Sequence, residues 1–357
     1  MNVLFVAQEL DRSEAHMIRG LAARGVKPAL MIASDRLHQV PSHDGIDVIP
    51  ARLKKRIEID TIRTIRRVVH DREIDLVHCL RSNCPLSNAL QAIRGHTTPI
   101  VCYRGTMGNL SRWNPGAWMT YLNSRISRIV CVSRAVASSL QELGVPAERL
   151  ITIYKGHDPQ WYESAQPPGL SEFNIPENSF VVGCAANMRP LKGADVLIRS
   201  ASHLNTGRPV YFLLIGEVRD PKIHHLLRED SYSRVVRLAG FREDAASLLG
   251  ACDVTVMPSL RREGLARAII EAMSQEVPAI VTNVGGLPEL VEDQRSGIVV
   301  PPNDPVALGA AISRLADNEE ERIRMGKAAR TRIDSDFSVE KTIEMTFELY
   351  GQVLSQS

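Results

Sequence analysis

No apolar run in this chain approaches the roughly 20 residues that span a bilayer, so no membrane-crossing helix is expected. The opening MNVLFVAQELDRSEAH turns acidic too soon for a secretory leader, and the reading is of a cytoplasmic protein. Cysteine is sparse and scattered. Cys79, Cys84, Cys102, Cys131, Cys184 and Cys252 form no CxxC pair, and five of them lie in or beside apolar stretches, which predicts reduced core thiols rather than a disulfide frame or a zinc knuckle. The histidines form no cluster, so neither a metal nor any other cofactor is expected. An excess of one charge is missing too: 43 basic and 41 acidic residues leave +2, which gives no ground for a nucleic-acid partner. FVAQELDRSE also lacks the GxGxxG turn of a nicotinamide site, which argues against a dehydrogenase.

What is present is alternation. Short apolar runs (NVLFVA, PALMIAS, LVHCL, PIVCY, RIVCVS, LITIY) are separated by helical patterns, and this predicts a parallel sheet covered on both faces. A stretch rich in Pro, Glu and Ser then interrupts, and the alternation restarts with FVVGCAA, VYFLLIG, VVRLAG, VTVMP, AIVT and GIVVPP. The expected organisation is a Rossmann-like domain over residues 1–162, a linker over 163–177, a second Rossmann-like domain over 178–337, and a helix over 338–357 packing back toward the first domain. Two doubly wound α/β domains of this kind would face a central cleft at the carboxyl ends of their strands.

EGLARAIIE, residues 263–271, sets Glu263 and Glu271 in a strand-end loop and its following helix. That spacing would let the two carboxylates hold the hydroxyls at two ends of an extended ligand. The amides of Gly264, Leu265 and Ala266, expected to open the helix, would suit a phosphate between them. Upstream, ANMRPLKG places Arg189 and Lys192 after the first strand of the same domain, two cations suited to a diphosphate. Taken singly, each feature is more often a solvated surface charge; the combination favours a nucleotide-sugar site.

The stretches AANMRPLKGADVLI, RLAGFREDAASLLGACDVTVMPS, REGLARAIIEAM, AIVTNVGGLPELV and SGIVVPPND resemble, in order and spacing, the family 4 glycosyltransferases of GT-B fold. The first domain is similar more loosely. The resemblance implies a nucleotide-sugar donor (a UDP-sugar first, a GDP- or ADP-sugar otherwise) and a glycan or lipid-linked glycan acceptor. It also implies retention of anomeric configuration and no metal. It assigns Arg189 and Lys192 to the diphosphate, Glu263 to the transferred sugar, Glu271 to the ribose, and main-chain groups of Gly240 and Phe241 to the base.

Two loops depart from the family pattern. Glu14 stands where a Gly-Gly-x-Glu loop carries its acid, but Arg12 and Ser13 replace the glycines; Arg104 stands where relatives have a His-Gly pair. An arginine cannot act as a base, though it can bind a phosphate, a carboxylate or the sugar. Asn109 and Arg112 are further candidates in the next loop. These departures keep two alternatives open: a non-catalytic nucleotide-sugar-binding subunit, and another GT-B enzyme such as a nucleotide-sugar epimerase. Finally, ARLKKRIEIDTIRTIRRVVHDR predicts a helix capped by Asp60, with Ile62, Ile65, Val68 and Val69 buried and Arg63, Arg66 and Arg67 outward. The outward face is either solvated or a peripheral contact with anionic lipid on the inner face of the cytoplasmic membrane.

Overall fold

A computed structural model describes residues 1–40, 45–81, 83–108, 110–162 and 169–356. They form two compact units, Met1–Gly156 with Val339–Ser357, and His157–Ser338.

The first unit is a seven-stranded parallel sheet: β1 (Asn2–Ala7), β2 (Lys27–Ala33), β3 (Asp47–Ala51), β4 (Leu76–Leu80), β5 (Ile100–Arg104), β6 (Ile126–Cys131) and β7 (Leu150–Thr152), in the order β3-β2-β1-β4-β5-β6-β7. The central strands are buried almost end to end, which is why they read as continuous apolar runs. β3 left no such run. It is an edge strand, half exposed and interrupted by Pro50, a residue that sheets accept only where no ladder bond is needed.

The helix Val339–Ser355 belongs to this unit. Ile343 and Tyr350 are buried, a Cβ on Gly20 would collide with Ile343, and the Tyr350 hydroxyl meets His78 Nδ1 at 2.5 Å. Helix α2 (Ile59–Asp71) buries Thr61, Ile65, Val68 and Val69, with Ile62 half-buried. Asp60 does not cap it. Glu58 holds the N-cap position without a side-chain bond, and its backbone N–H goes to Asn88 Oδ1 at 2.8 Å, so Asp60 falls in the first turn.

The second unit is a six-stranded parallel sheet of β8 (Phe180–Ala185), β9 (Val210–Ile215), β10 (Val236–Gly240), β11 (Val254–Met257), β12 (Ala279–Thr282) and β13 (Gly297–Val300), ordered β10-β9-β8-β11-β12-β13. Residues 163–168 of the expected linker lie outside the described residues. Its later part is folded onto the second unit: Leu170 and Phe173 pack with Ile175 against Leu213 and Leu248, and Arg242 pairs with Glu172 at 2.8 Å. In both units the strand order reverses beside the first strand, between β1 and β4 and between β8 and β11. In open α/β sheets such a switch point is where loops diverge and leave a crevice for a ligand.

Candidate functional site

The loops after β8 and β11 meet at the second unit's switch point. After β8 the chain makes a 3-10 turn, Pro190–Lys192, closed by Gly193 at φ +67. A Cβ there would collide with the Pro258 carbonyl, so this close approach of two backbones needs glycine. Leu260 N–H donates to the Leu191 carbonyl at 2.9 Å and ties the loops together.

The tie brings Lys192 Nζ to Glu263 Oε2 at 2.6 Å, and the same oxygen accepts from the buried Ser259 hydroxyl at 2.8 Å. Thr282 Oγ1 donates to the Ser259 carbonyl at 2.6 Å, and Gly286 N–H donates to the Glu263 carbonyl at 3.1 Å. Glu263 is thus 8% exposed, with Oε2 held by two donors.

The helix that follows spans Arg267–Met273. Gly264, Leu265 and Ala266 were expected to open it, but they lie in the loop before it: Ala266 is extended, at φ −87 and ψ 105, and serves as the N-cap. Glu271, one turn in, is held by Arg267 Nε at 3.0 Å.

A cavity of about 510 Å³ opens here, and Lys192, Phe241, Glu263, Leu265, Ala266 and Glu271 all line it. Arg189, Gly240 and Gly264 are not among its lining residues. Arg189 is exposed, with an extended backbone at the start of the turn.

The wall also contains residues that sequence reasoning passed over: Asn187, Arg242 and Arg267. Asn187 Oδ1 is buried with no partner. Arg242 is locked between Glu172 and Asp244, and its hydrogen bonds hold the Asp244 carboxyl below the usual range. Arg267 carried a signal, since it stands four residues before Glu271 on a helix. Phe241, 79% exposed, offers its ring at the cavity's side.

The first unit's switch point is already filled. Asp11 and Glu14 form a reciprocal capping box on helix α1 (Arg12–Ala23): Glu14 N–H donates to Asp11 Oδ1 and Asp11 N–H to Glu14 Oε2, each at 3.0 Å. Glu14 Oε1 also accepts from Arg81 Nε at 2.7 Å and Lys155 Nζ at 3.1 Å, and both cations pair with Asp11. Burial pushes the Asp11 carboxyl up, but Lys155 and Arg81 outweigh it and hold it below the usual range. Burial works against the Arg81 charge in turn, and Glu14 and Asp11 hold it above the ordinary value. Glu14 is therefore a buried member of an ion network with Asp11, Arg81 and Lys155, and Glu9 joins it through Arg81 at 3.4 Å.

Arg104 and Arg112 are likewise occupied. Arg104 is 7% exposed, lies 4.6 Å from the Tyr121 ring centre, and donates to the Gly108 carbonyl at 2.6 Å. Its place at the end of a buried strand turns the guanidinium inward, where it braces the loop after β5. Arg112 Nε donates to the Leu143 carbonyl at 2.8 Å and so satisfies the end of the helix Arg134–Glu142. Asn109 lies outside the described residues. Among the described residues no group of three or more His, Cys, Asp or Glu is placed to hold a metal ion.

The profile of the group 1 glycosyltransferases matches residues 170–332, the unit that holds this cavity, and that of glycosyltransferase family 4 matches residues 12–161. The chain belongs to the family 4 glycosyltransferases. Among its relatives in this family is the D-inositol 3-phosphate glycosyltransferase of Corynebacterium kroppenstedtii, 30% identical over 44% of this chain and 37% of that protein. The UDP-Gal:alpha-D-GlcNAc-diphosphoundecaprenol alpha-1,3-galactosyltransferase of Escherichia coli is 28% identical over 63% of this chain and 60% of that one. The matches thus span between about a third and two thirds of these relatives' length. Anabaena HepE, solved in complex with UDP, superposes with a TM-score of 0.82 at 20% identity over 99% of this chain and 100% of the other. At that identity the likeness speaks for the fold alone, the GT-B fold expected from the sequence.

Proposed function

We propose that the chain is a glycosyltransferase that takes a nucleotide-sugar, a UDP-sugar in the first instance, and moves its sugar to a glycan or lipid-linked glycan acceptor in the assembly of surface polysaccharide or lipopolysaccharide. The observation that carries this reading is the cavity at the β8/β11 switch point, which Lys192, the buried Glu263 and the half-buried Glu271 line together. A nucleotide-sugar presents a diphosphate flanked by two sets of hydroxyls, and the wall offers a match to each. Lys192 would hold the diphosphate, Glu263 the hydroxyls of the transferred sugar and Glu271 those of the ribose.

Arg189, exposed on the turn that carries Lys192, is a second cation for the diphosphate. Backbone groups of Gly240 and Phe241 would meet the base. Asn187 Oδ1, buried without a partner in the wall, is an acceptor for a ligand hydroxyl or N–H. In the ligand-free chain Lys192 neutralises Glu263; an arriving diphosphate exchanges that partner and leaves Glu263 free to accept from a sugar hydroxyl.

The family resemblance supports a retaining, metal-free course. The bond from the anomeric carbon to the phosphate oxygen breaks, the acceptor oxygen bonds to the same face, and the acceptor's proton passes to the departing phosphate. Lys192 beside that phosphate would stabilise the charge as it develops. The HepE complex with UDP supports the donor class, and the Escherichia coli relative, named for a diphosphoundecaprenol acceptor, supports a lipid-linked one.

The test is calorimetric titration of the chain with UDP, GDP and ADP in the absence of metal, repeated on Lys192→Ala and Glu271→Ala. One nucleotide should bind tightly, and each substitution should weaken it more than tenfold, since a charge-assisted hydrogen bond is worth ~1.5–3 kcal/mol. Binding of none of the three would refute the donor assignment.

A further inference from the structure

Two tryptophans of the first unit have no place in its core. Trp113 is 95% exposed and Trp118 is 53% exposed. Trp118 is nevertheless fixed: its indole Nε1 donates to the Arg112 carbonyl at 2.9 Å, so the ring is held at the surface with half its area in water. Ile57 and Ile59, in the loop and first position of α2, are 53% and 63% exposed.

Arg56 joins the two groups. Its guanidinium packs so closely on Gly116, in the turn between the tryptophans, that a Cβ there would overlap it. The loop before α2 is also held in one conformation by helix α3 (Asn83–Ala92): Asn88 Nδ2 donates to the Lys55 carbonyl at 3.0 Å and Ser87 Oγ to the Arg56 carbonyl at 2.6 Å. Leu53 is fully buried beneath it. With the carbonyls turned inward and Leu53 as anchor, Lys54, Lys55 and Arg56 are exposed. Residues 52–67 carry seven basic side chains against two acidic ones.

Large apolar groups left in water mark an interaction surface. Indole rings are favoured where one edge meets hydrocarbon and the other meets polar headgroups, and each nearby Lys or Arg is drawn to anionic lipid. A second copy of this chain would bring the same excess of positive charge against itself.

We propose that this face of the first unit docks on a membrane surface containing anionic phospholipid, with Trp113, Trp118, Ile57 and Ile59 entering the headgroup layer and Lys54 and Lys55 pairing with lipid phosphate. The contact is centred on the loop before α2 rather than on the outer arginines of that helix, one of which, Arg66, is engaged with the Ala92 carbonyl at 3.1 Å. It does not depend on what the second unit binds.

The test is co-sedimentation of the whole chain with vesicles of phosphatidylcholine, with and without phosphatidylglycerol, at ~150 mM salt, together with tryptophan emission. The chain should bind only the anionic vesicles, and its emission should shift to the blue as two of its three tryptophans leave water. Lys54→Ala/Lys55→Ala should weaken partitioning about thirtyfold, and Trp113→Ala/Trp118→Ala should abolish the blue shift and weaken binding at least as much. Nucleotide titrations on both variants should match the wild type, because these residues lie outside the cavity of the second unit. The proposal is overturned if the wild type ignores anionic vesicles, or if both variants bind them as the wild type does. It is equally overturned if light scattering finds a dimer that the tryptophan variant dissolves, since a second copy would then cover the face.

Discussion

Replacing Glu263 by glutamine removes one charge and almost no volume, which isolates the exchange of partners proposed for Lys192. In the ligand-free chain the ammonium sits 2.6 Å from Glu263 Oε2, with the two side chains 23% and 11% exposed, so solvent screens the pair poorly. A charge-assisted hydrogen bond in such a place is worth ~1.5–3 kcal/mol, and its loss should lower the melting temperature of a unit this size by roughly 3–12 °C. The effect on nucleotide binding has the opposite sign. Wild-type Lys192 must leave a carboxylate to meet a diphosphate, whereas in Glu263→Gln it leaves only a neutral amide, so affinity for UDP should be unchanged or up to about tenfold higher. Lys192→Ala should weaken the same binding by more than tenfold while sugar transfer fails in both variants. Differential scanning calorimetry without ligand and titration with UDP read the two halves separately. If Glu263→Gln and Lys192→Ala weakened UDP alike, lysine and carboxylate would act as one unit toward the nucleotide, and the exchange would be refuted.

Glu271→Ala should weaken UDP more than tenfold yet scarcely move the melting temperature, since the Arg267 pair it breaks is an i,i+4 helix pair worth ~0.5 kcal/mol; the same calorimeter checks both. Gly193→Ala should destabilise the second unit by about 3 kcal/mol or more, because the new Cβ meets the Pro258 carbonyl at a left-handed φ, and a urea titration should show the loss. Burial lowers the His78 imidazole to about 3 from an ordinary 6.5, so the unfolded chain binds a proton there that the folded chain does not. Stability from this source is intact above pH 6.5 and falls as the pH drops toward 3, by ~2 kcal/mol at pH 5. His78→Gln loses the bond to Tyr350 and should be the less stable protein at pH 7.5, but its deficit should shrink by about that amount at pH 5, as urea titrations at the two values would show.

Legibility in the sequence followed burial. Strands covered on both faces, such as β4 with LVHCL and β12 with AIVT, were visible as apolar runs, whereas β3 at the open edge was not. Lys192, Glu263 and Glu271 could be placed together because each sits at a fixed offset from a readable strand end. Partnership was the part that spacing could not give. Arg81 reaches Glu14 across 67 residues of sequence and adopts a left-handed backbone at φ 40 to do so, which no local pattern announces. Arg104 and Arg112 show the same limit, because a guanidinium that binds a ligand and one that braces a carbonyl look alike until the carbonyl is found.

The helix Val339–Ser355 has a consequence for how the chain is made. It supplies Ile343, Leu349, Tyr350 and Val353 to a core whose other members come from the first 156 residues, with the whole of the second unit encoded in between. Domains tend to fold as they leave the ribosome, first come first folded. Here the order is inverted: the second unit can complete itself while the first, begun earlier, waits for the helix Val339–Ser355 to be synthesised. During that wait the surface that receives the helix stays uncovered, and a chain halted before Ile343 would lack core side chains in the part of the protein that was synthesised first.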